Sequence, residues 1–377
     1  MGTKFILGQE DGTIAGGNTR GDSAVDLQTS RGVNTQVAGG SQSVIVGGSS
    51  NTASARESVV VGGANNVAGR LQSFIGGGSS NTISSGGGEN AIVGGTLNTN
   101  NGVYGFIGAG LQNTVSSSYS IVSGGQSNTA STGTHATVVG GGGNVSSGQN
   151  SVSGGNQNIV SGYSSVAFGE ANQATSGYAI AMGNSARATS SNTIALGLQN
   201  YATNFGAVAI GGSYTNAYIP YSIATGDSIS TRGDAQFTSY ISRVSSTLTS
   251  GGTVILTNSG GYGQGIPLGN NRMWNVTIKY VAVVTTITGT ATGVTVGDTK
   301  SQNIEIGFKK VGGVSSLVGG GSFSIPQEDA SMGSASLIPT AGASQELALT
   351  FTAPTFAGGG SVTMRVVAKV ELVEVAY

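Results

Sequence analysis

The sequence predicts an all-β chain in two parts. A parallel β-solenoid of 14–17-residue coils, its core shared among three chains, precedes an antiparallel β-sandwich of jelly-roll type. Three observations predict it. A short apolar phrase closed by a small residue recurs about thirteen times, at Gly47, Gly62, Gly77, Gly94, Ala109, Gly124, Gly140, Gly154, Gly169, Gly183, Gly197, Gly211 and Gly226. Glycine supplies 67 of 377 residues, more than twice the usual ~7%. Beyond Phe237 the apolar residues instead alternate with period two.

Residues 1–40 carry Lys4, Glu10, Asp11, Arg20, Asp22, Asp26 and Arg31, a charge density that the following stretch never matches. They are expected to cap the first coil, to attach the rod to a larger assembly, or both. The start, Met1-Gly2-Thr3-Lys4-Phe5-Ile6, has neither the apolar core of a secretory signal nor a hydroxyl residue at position 6 for myristoylation. The expectation is a chain that begins at its own initiator and is made in a cytoplasm.

Residues 41–226 are the coils. Each has a strongly apolar strand such as Ala179-Ile180-Ala181-Met182, a glycine turn, and a weaker strand marked by Asn, as in Asn81-Thr82-Ile83 and Asn113-Thr114-Val115. Gly and Asn are read as the residues that tolerate the left-handed backbone of tight turns. Coils stacked in register lie about 4.8 Å apart, so the rod section is about 60 Å long. One such coil encloses little volume, and its weaker strand offers mostly Ala, Val or Thr. A lone chain buries too little apolar surface to offset the ordering of so many glycines. This predicts an obligate homotrimer, with Ile180 and Ile194 in dry shared layers.

Phrases such as Ser165-Val166-Ala167-Phe168-Gly169 and Asn192-Thr193-Ile194-Ala195-Leu196-Gly197 resemble the head repeats of trimeric autotransporter adhesins of the YadA kind. The resemblance covers about half of the chain and implies a left-handed parallel β-roll, trimerised along its length. No counterpart of that family's signal peptide, heptad stalk or four-stranded membrane anchor is expected from the residues of this sequence.

Residues 227–236 form a junction, with Pro220 ending the repeat pattern and charges returning at Asp227, Arg232 and Asp234. From 237 to 377, Val276, Ile278, Tyr280, Ala282 and Val284, then Ile304, Ile306 and Phe308, Leu347, Leu349 and Phe351, and Val362 to Leu372 at alternate positions, predict seven or eight antiparallel strands. A β-roll closed by such a module, together with Ala24-Val25-Asp26-Leu27-Gln28-Thr29-Ser30-Arg31 and Tyr240-Ile241-Ser242-Arg243, resembles fibre, spike and head-decoration proteins of tailed bacteriophages. The resemblance implies a non-enzymatic virion protein that binds other tail or capsid proteins through its N-terminus. Its distal domain would meet a host-surface glycan or protein. A bacterial adhesin, a polysaccharide-cleaving tailspike and an ice-binding solenoid are the alternatives; the last is disfavoured by the drifting repeat length.

Composition narrows the chemistry. A formal net charge of −1 gives no electrostatic case for nucleic acid or an anionic membrane. No cysteine is present, so neither disulfides nor thiolate metal sites exist. No catalytic, cofactor-binding or metal-ligating residues are predicted. Between Ser41 and Gly226 the formal charges are Arg56, Glu57, Arg70, Glu89, Glu170 and Arg187, and these glutamates are read as solvated, too dispersed to pair for glycoside cleavage. His135, the single histidine, is read as a spacer residue, Glu328-Asp329 as a turn, Trp274 as core, and Glu371 as the partner of Lys369 or Arg365 across a strand. Arg-Gly-Asp at Arg20 and Arg232 and the glycines 140–143 are read as turns.

Overall fold

The computed structural model describes all residues except 1–4, 7–10, 85–87, 227–234, 259–265, 268–271, 312–313, 342–345 and 377. The junction charges Asp227, Arg232 and Asp234, and the second Arg-Gly-Asp, therefore lie outside the described residues. The fold is all-β: about 13 turns of parallel β-solenoid and a C-terminal set of antiparallel strands. It divides into two compact units, Met1–Ser185 and Ala186–Tyr377.

The first unit is built of stacked coils. One parallel ladder runs from Phe5–Ile6 through Val25–Asp26, Val44–Ile45, Val59–Val60 and Phe74–Ile75 to Ile180–Ala181. A second runs from Thr52–Ala53 through Val67–Ala68 and Thr82–Ile83 to Gln173–Ala174. Single bridges at Ser30, Ser49, Ala64, Ser79, Thr96, Leu111, Gln126 and Gly142 form a third line. The drift in repeat length does not disturb this stacking. Thr82 pairs with Thr99 and Thr99 with Thr114 in register, and an irregularity between Val138 and Gly141 absorbs an extra residue. Sequence spacing alone is therefore no argument against an ordered array.

Each coil points one residue inward from each strand. Ile45, Val60, Ile75, Ile92, Ile107, Val122 and Val138 come from the first ladder, and Ala53, Ala68, Ile83, Val115 and Ala130 from the second; all are fully buried. Further along, Ala167, Ala174 and Ala181 fill the same places. The interior is as thin as the sequence predicts.

Asparagine has a different role from the one expected. The left-handed residues before the second strand are Ser50, Asn65, Ser80, Leu97, Gln112 and Ser127. The asparagine that follows each of them is fully buried. From Asn51 to Asn172 the backbone N–H of each donates to the side-chain oxygen of the one before. Asn113 is typical: its Nδ2 donates to Ala109 O at 3.0 Å and to Gly125 O at 2.9 Å. The amide thus gives a donor to the carbonyl four residues back and a second donor to the glycine carbonyl of the next coil, which in the case of Gly125 also accepts the N–H of Leu111. Glycine is required beside it: Gly125 has φ 95°, and a Cβ there would lie 2.1 Å from Gly141 O.

Residues 1–40 contribute rungs to the same ladder. Asp26 pairs with Ile45 in register and thus occupies an inward place. Arg20 Nε donates to its Oδ2 at 2.9 Å and Arg31 Nη2 at 3.0 Å, with all three side chains at most 2% exposed. Arg20 Nη1 also donates to the carbonyls of Gly16 and Asn18, and Arg31 to those of Ala15 and Gln36. Gln28 Oε1 accepts the N–H of Asn51 and starts the asparagine ladder. Asp26→Ala is expected to leave two buried guanidinium groups without their anion, at a cost of about 3–5 kcal/mol. The check is a lower urea midpoint together with earlier proteolysis ahead of Val44.

In the second unit, Ile194–Ala195, Val208–Ala209 and Ile223–Ala224 continue the same pattern. The Ile223–Gly226 strand then pairs antiparallel with Ala235–Leu248. The larger sheet runs in the order Thr257–Asn258, Ala235–Leu248, Gly360–Ala376, Arg272–Gly289, Thr299–Val311, Val314–Glu328. A smaller antiparallel sheet has Glu346–Thr352 beside Ser336–Ala341, Thr253–Ile255 and Ile266–Pro267. The predicted alternation holds: Trp274, Val276, Ile278, Tyr280, Ile304, Phe308, Val366 and Leu372 form one core with Leu347, Leu349 and Phe351. The Tyr280 ring meets Phe351 from the other sheet at 6.2 Å, so the two sheets pack face to face.

Candidate functional site

Among the described residues no three His, Asp or Glu side chains gather to hold a metal, and no helix is long and apolar enough to cross a membrane. Glu57 and Glu89 share one corner of the coils, with Gln72 between them. Gln72 Nε2 donates to Glu57 Oε2 at 2.8 Å. Glu170 accepts from Asn184 at an exposed position.

In the second unit Asp329 Oδ2 accepts the N–H and hydroxyl of Thr299. Asp298 likewise accepts from Thr295 N–H and the Ser331 hydroxyl. Glu328 pairs at 3.4 Å with Lys300, whose side chain is buried. These carboxylates shape a turn, as the sequence suggested. Lys369 pairs with Glu371 two residues along the same strand rather than across strands; the Glu374 side chain is outside the described residues. Burial, reinforced by Glu328, pushes the Tyr280 hydroxyl up to about 12, which removes it from acid–base work near neutral pH. Trp274 is fully buried beside Phe308. Arg20 is 2% exposed, so its Arg-Gly-Asp is closed to a partner.

The surfaces are more informative than the carboxylates. On either side of each inward residue of the first ladder stands an outward one. In the first unit the leading column is Val44, Val59, Phe74, Ala91, Phe106, Ile121, Thr137, Val152, Val166, Ile180. The trailing column is Val46, Val61, Gly76, Val93, Gly108, Ser123, Val139, Gly154, Phe168, Met182. No charged residue stands in either. Val93 and Val139 are about half exposed, at 51% and 52%. Where a phenylalanine occurs a glycine lies under it: the Phe74 ring edge is 3.4 Å from where a Gly76 Cβ would be, and Phe168 is 2.7 Å from that of Gly154. Large side chains are thus laid flat and the face stays level. Ile180 belongs to this outward face, whereas Ala181 points inward.

A second feature went unread in the sequence. The corner residue two before each strand of the first ladder is left-handed, and in successive coils it is Gln42, Glu57, Gln72, Glu89, Tyr104, Tyr119 and His135. His135 lies in the segment between Thr129–Ala130 and Thr137–Gly142, and its ring stacks on Tyr119 at 5.1 Å, as Tyr119 does on Tyr104 at 5.0 Å. The available signal was the aromatic residue at one fixed offset before consecutive apolar phrases.

No family model matches this chain. No curated protein matches it either. Among solved structures, the tailspike protein of Acinetobacter baumannii phage AM24 aligns over 99% of this chain and 73% of its own, at 9% sequence identity and a TM-score of 0.25. A score at that level does not describe a common arrangement.

Proposed function

We propose that this chain is a non-enzymatic structural protein of a virion, a homotrimeric fibre, spike or capsid-surface component. Its N-terminal segment attaches it to other virion proteins, and its C-terminal antiparallel unit faces the host surface. The observation that carries the trimer is the level, uncharged apolar face of the first ladder. Exposed apolar surface of this extent marks an interaction site, and the thin alanine-rich interior supplies little stability of its own. Three copies with their coils wound left-handed, as in the YadA-like repeats, would turn this face into a common core. The virion assignment is supported by the resemblance of the repeats, of the Ala24–Arg31 stretch and of the C-terminal module to bacteriophage surface proteins.

Mass spectrometry of particles purified from a host that produces this chain tests the assignment. The expected result is the protein in the particles at a copy number divisible by three. Its absence from particles, with the protein retained on the bacterial surface, would replace this reading by that of an adhesin.

A further inference from the structure

The aromatic corner of the first unit stands two or three residues before the leading column of the apolar face and is not one of its columns. Tyr104, Tyr119 and His135 stack with interplanar angles of 16° and 8°. Farther along the same corner Tyr163 and Tyr178 meet edge to face, 5.4 Å apart at 77°. Tyr119 is 51% exposed and Tyr178 58%. Rings of this size left in water in a row are unusual unless something covers them. The intervening corner residues are Ser118, Thr134, Gln149, Asn150 and Ser164, all hydroxyl or amide side chains. From Asn90 to Gly169 no residue carries a formal charge.

We propose that this corner is a binding surface for an uncharged polysaccharide that lies along the coils. The reasoning is chemical. Sugar C–H groups, made positive by their oxygens, rest on the negative face of an aromatic ring. An edge-to-face pair leaves such a face open at Tyr163 and Tyr178, whereas the stacked rings offer their edges and hydroxyls. Tyrosine gives a large rigid contact at low entropic cost together with a hydrogen-bonding tip. The neighbouring amides and hydroxyls exchange hydrogen bonds with a polyhydroxylated chain. The lack of cations gives an acidic polymer no attraction, and the polar neighbours do not suit an apolar partner. Five coil steps from Tyr104 to Tyr178 span about 24 Å, so the ligand is extended and several sugar units long. This surface is separate from the recognition proposed for the C-terminal unit.

Affinity electrophoresis of the full-length protein, in gels containing dextran, mannan, laminarin or the acidic polymer alginate, tests it. The expected result is retardation in at least one neutral gel and none in alginate. Tyr119→Ala with Tyr178→Ala should weaken that retardation at least tenfold, while the two Tyr→Phe replacements, which keep the rings, should stay within about threefold of the parent. If the double variant loses its coils by circular dichroism, Tyr178→Ala alone, outside the stacked trio, is expected to weaken retardation at least threefold. No retardation in any neutral gel, a preference for alginate, or retardation indifferent to loss of the Tyr178 ring would overturn the proposal.

Discussion

Replacing Phe106 or Ile121 with aspartate is expected to yield chains that remain monomeric under conditions in which the parent protein is expected to be trimeric. Both side chains stand in the leading outward column of the first ladder, at 38% and 39% exposure in the single chain, and their neighbours in that column and the next are uncharged. A carboxylate closed into such a layer has no cation within reach, and burying it unpaired costs several kcal/mol per copy. Three copies meet at one level, so repulsion adds to desolvation. The inward neighbours Ile107 and Val122 are untouched and fully buried, but the thin interior depends on the partner copies, so the unassembled variants are expected to be less stable than the parent and open to protease. Thr129→Asp, on the outward side of the second ladder, serves as the control and is expected to leave the trimer intact. Analytical ultracentrifugation at micromolar protein separates the outcomes. If the Phe106 and Ile121 variants sediment with the parent, the apolar face is not the contact.

The second large effect is expected inside the coil. Asn113→Leu should lower stability by about 2–6 kcal/mol, since two buried polar groups lose their partners at ~1–3 kcal/mol each. The carbonyl of Ala109 would lose the amide donor and the N–H of Asn128 its acceptor at 3.1 Å, while the Gly125 carbonyl would fall back on the N–H of Leu111. Asn113→Asp is nearly the same shape yet expected to be at least as harmful. It keeps the acceptor for Asn128 but turns an oxygen toward the carbonyls of Ala109 and Gly125, to which the amide donated. Urea denaturation followed by far-UV circular dichroism measures both. An aspartate variant as stable as the parent would mean that the ladder does not carry the corner carbonyls.

Much of this architecture was legible because it rests on short-range pattern. The apolar phrases marked the first ladder, and period-two alternation picked out the buried faces of Arg272–Gly289 and Gly360–Ala376 nearly residue by residue. What escaped depends on which neighbour a residue meets one coil away. Asparagine before Thr or Val looks like a turn residue, and only stacking shows its amide serving two glycine-corner carbonyls. Tyr104, Tyr119 and His135 are separated by loops of unequal length, so their shared corner appears only when the coils are in register. Asp26 reads as a surface charge until Arg20 and Arg31 close over it. Likewise only the structure shows that Asp329 accepts from Thr299, Glu57 from the amide of Gln72, and that Glu328 pairs with Lys300.

The central claim is that the coils are half of an interface, completed by two further copies of the same chain. Native mass spectrometry of the full-length protein tests it most directly. The expected result is a single species of three times the 37.0 kDa chain mass, persisting on dilution to nanomolar concentration. A folded, protease-resistant monomer at micromolar concentration would contradict it.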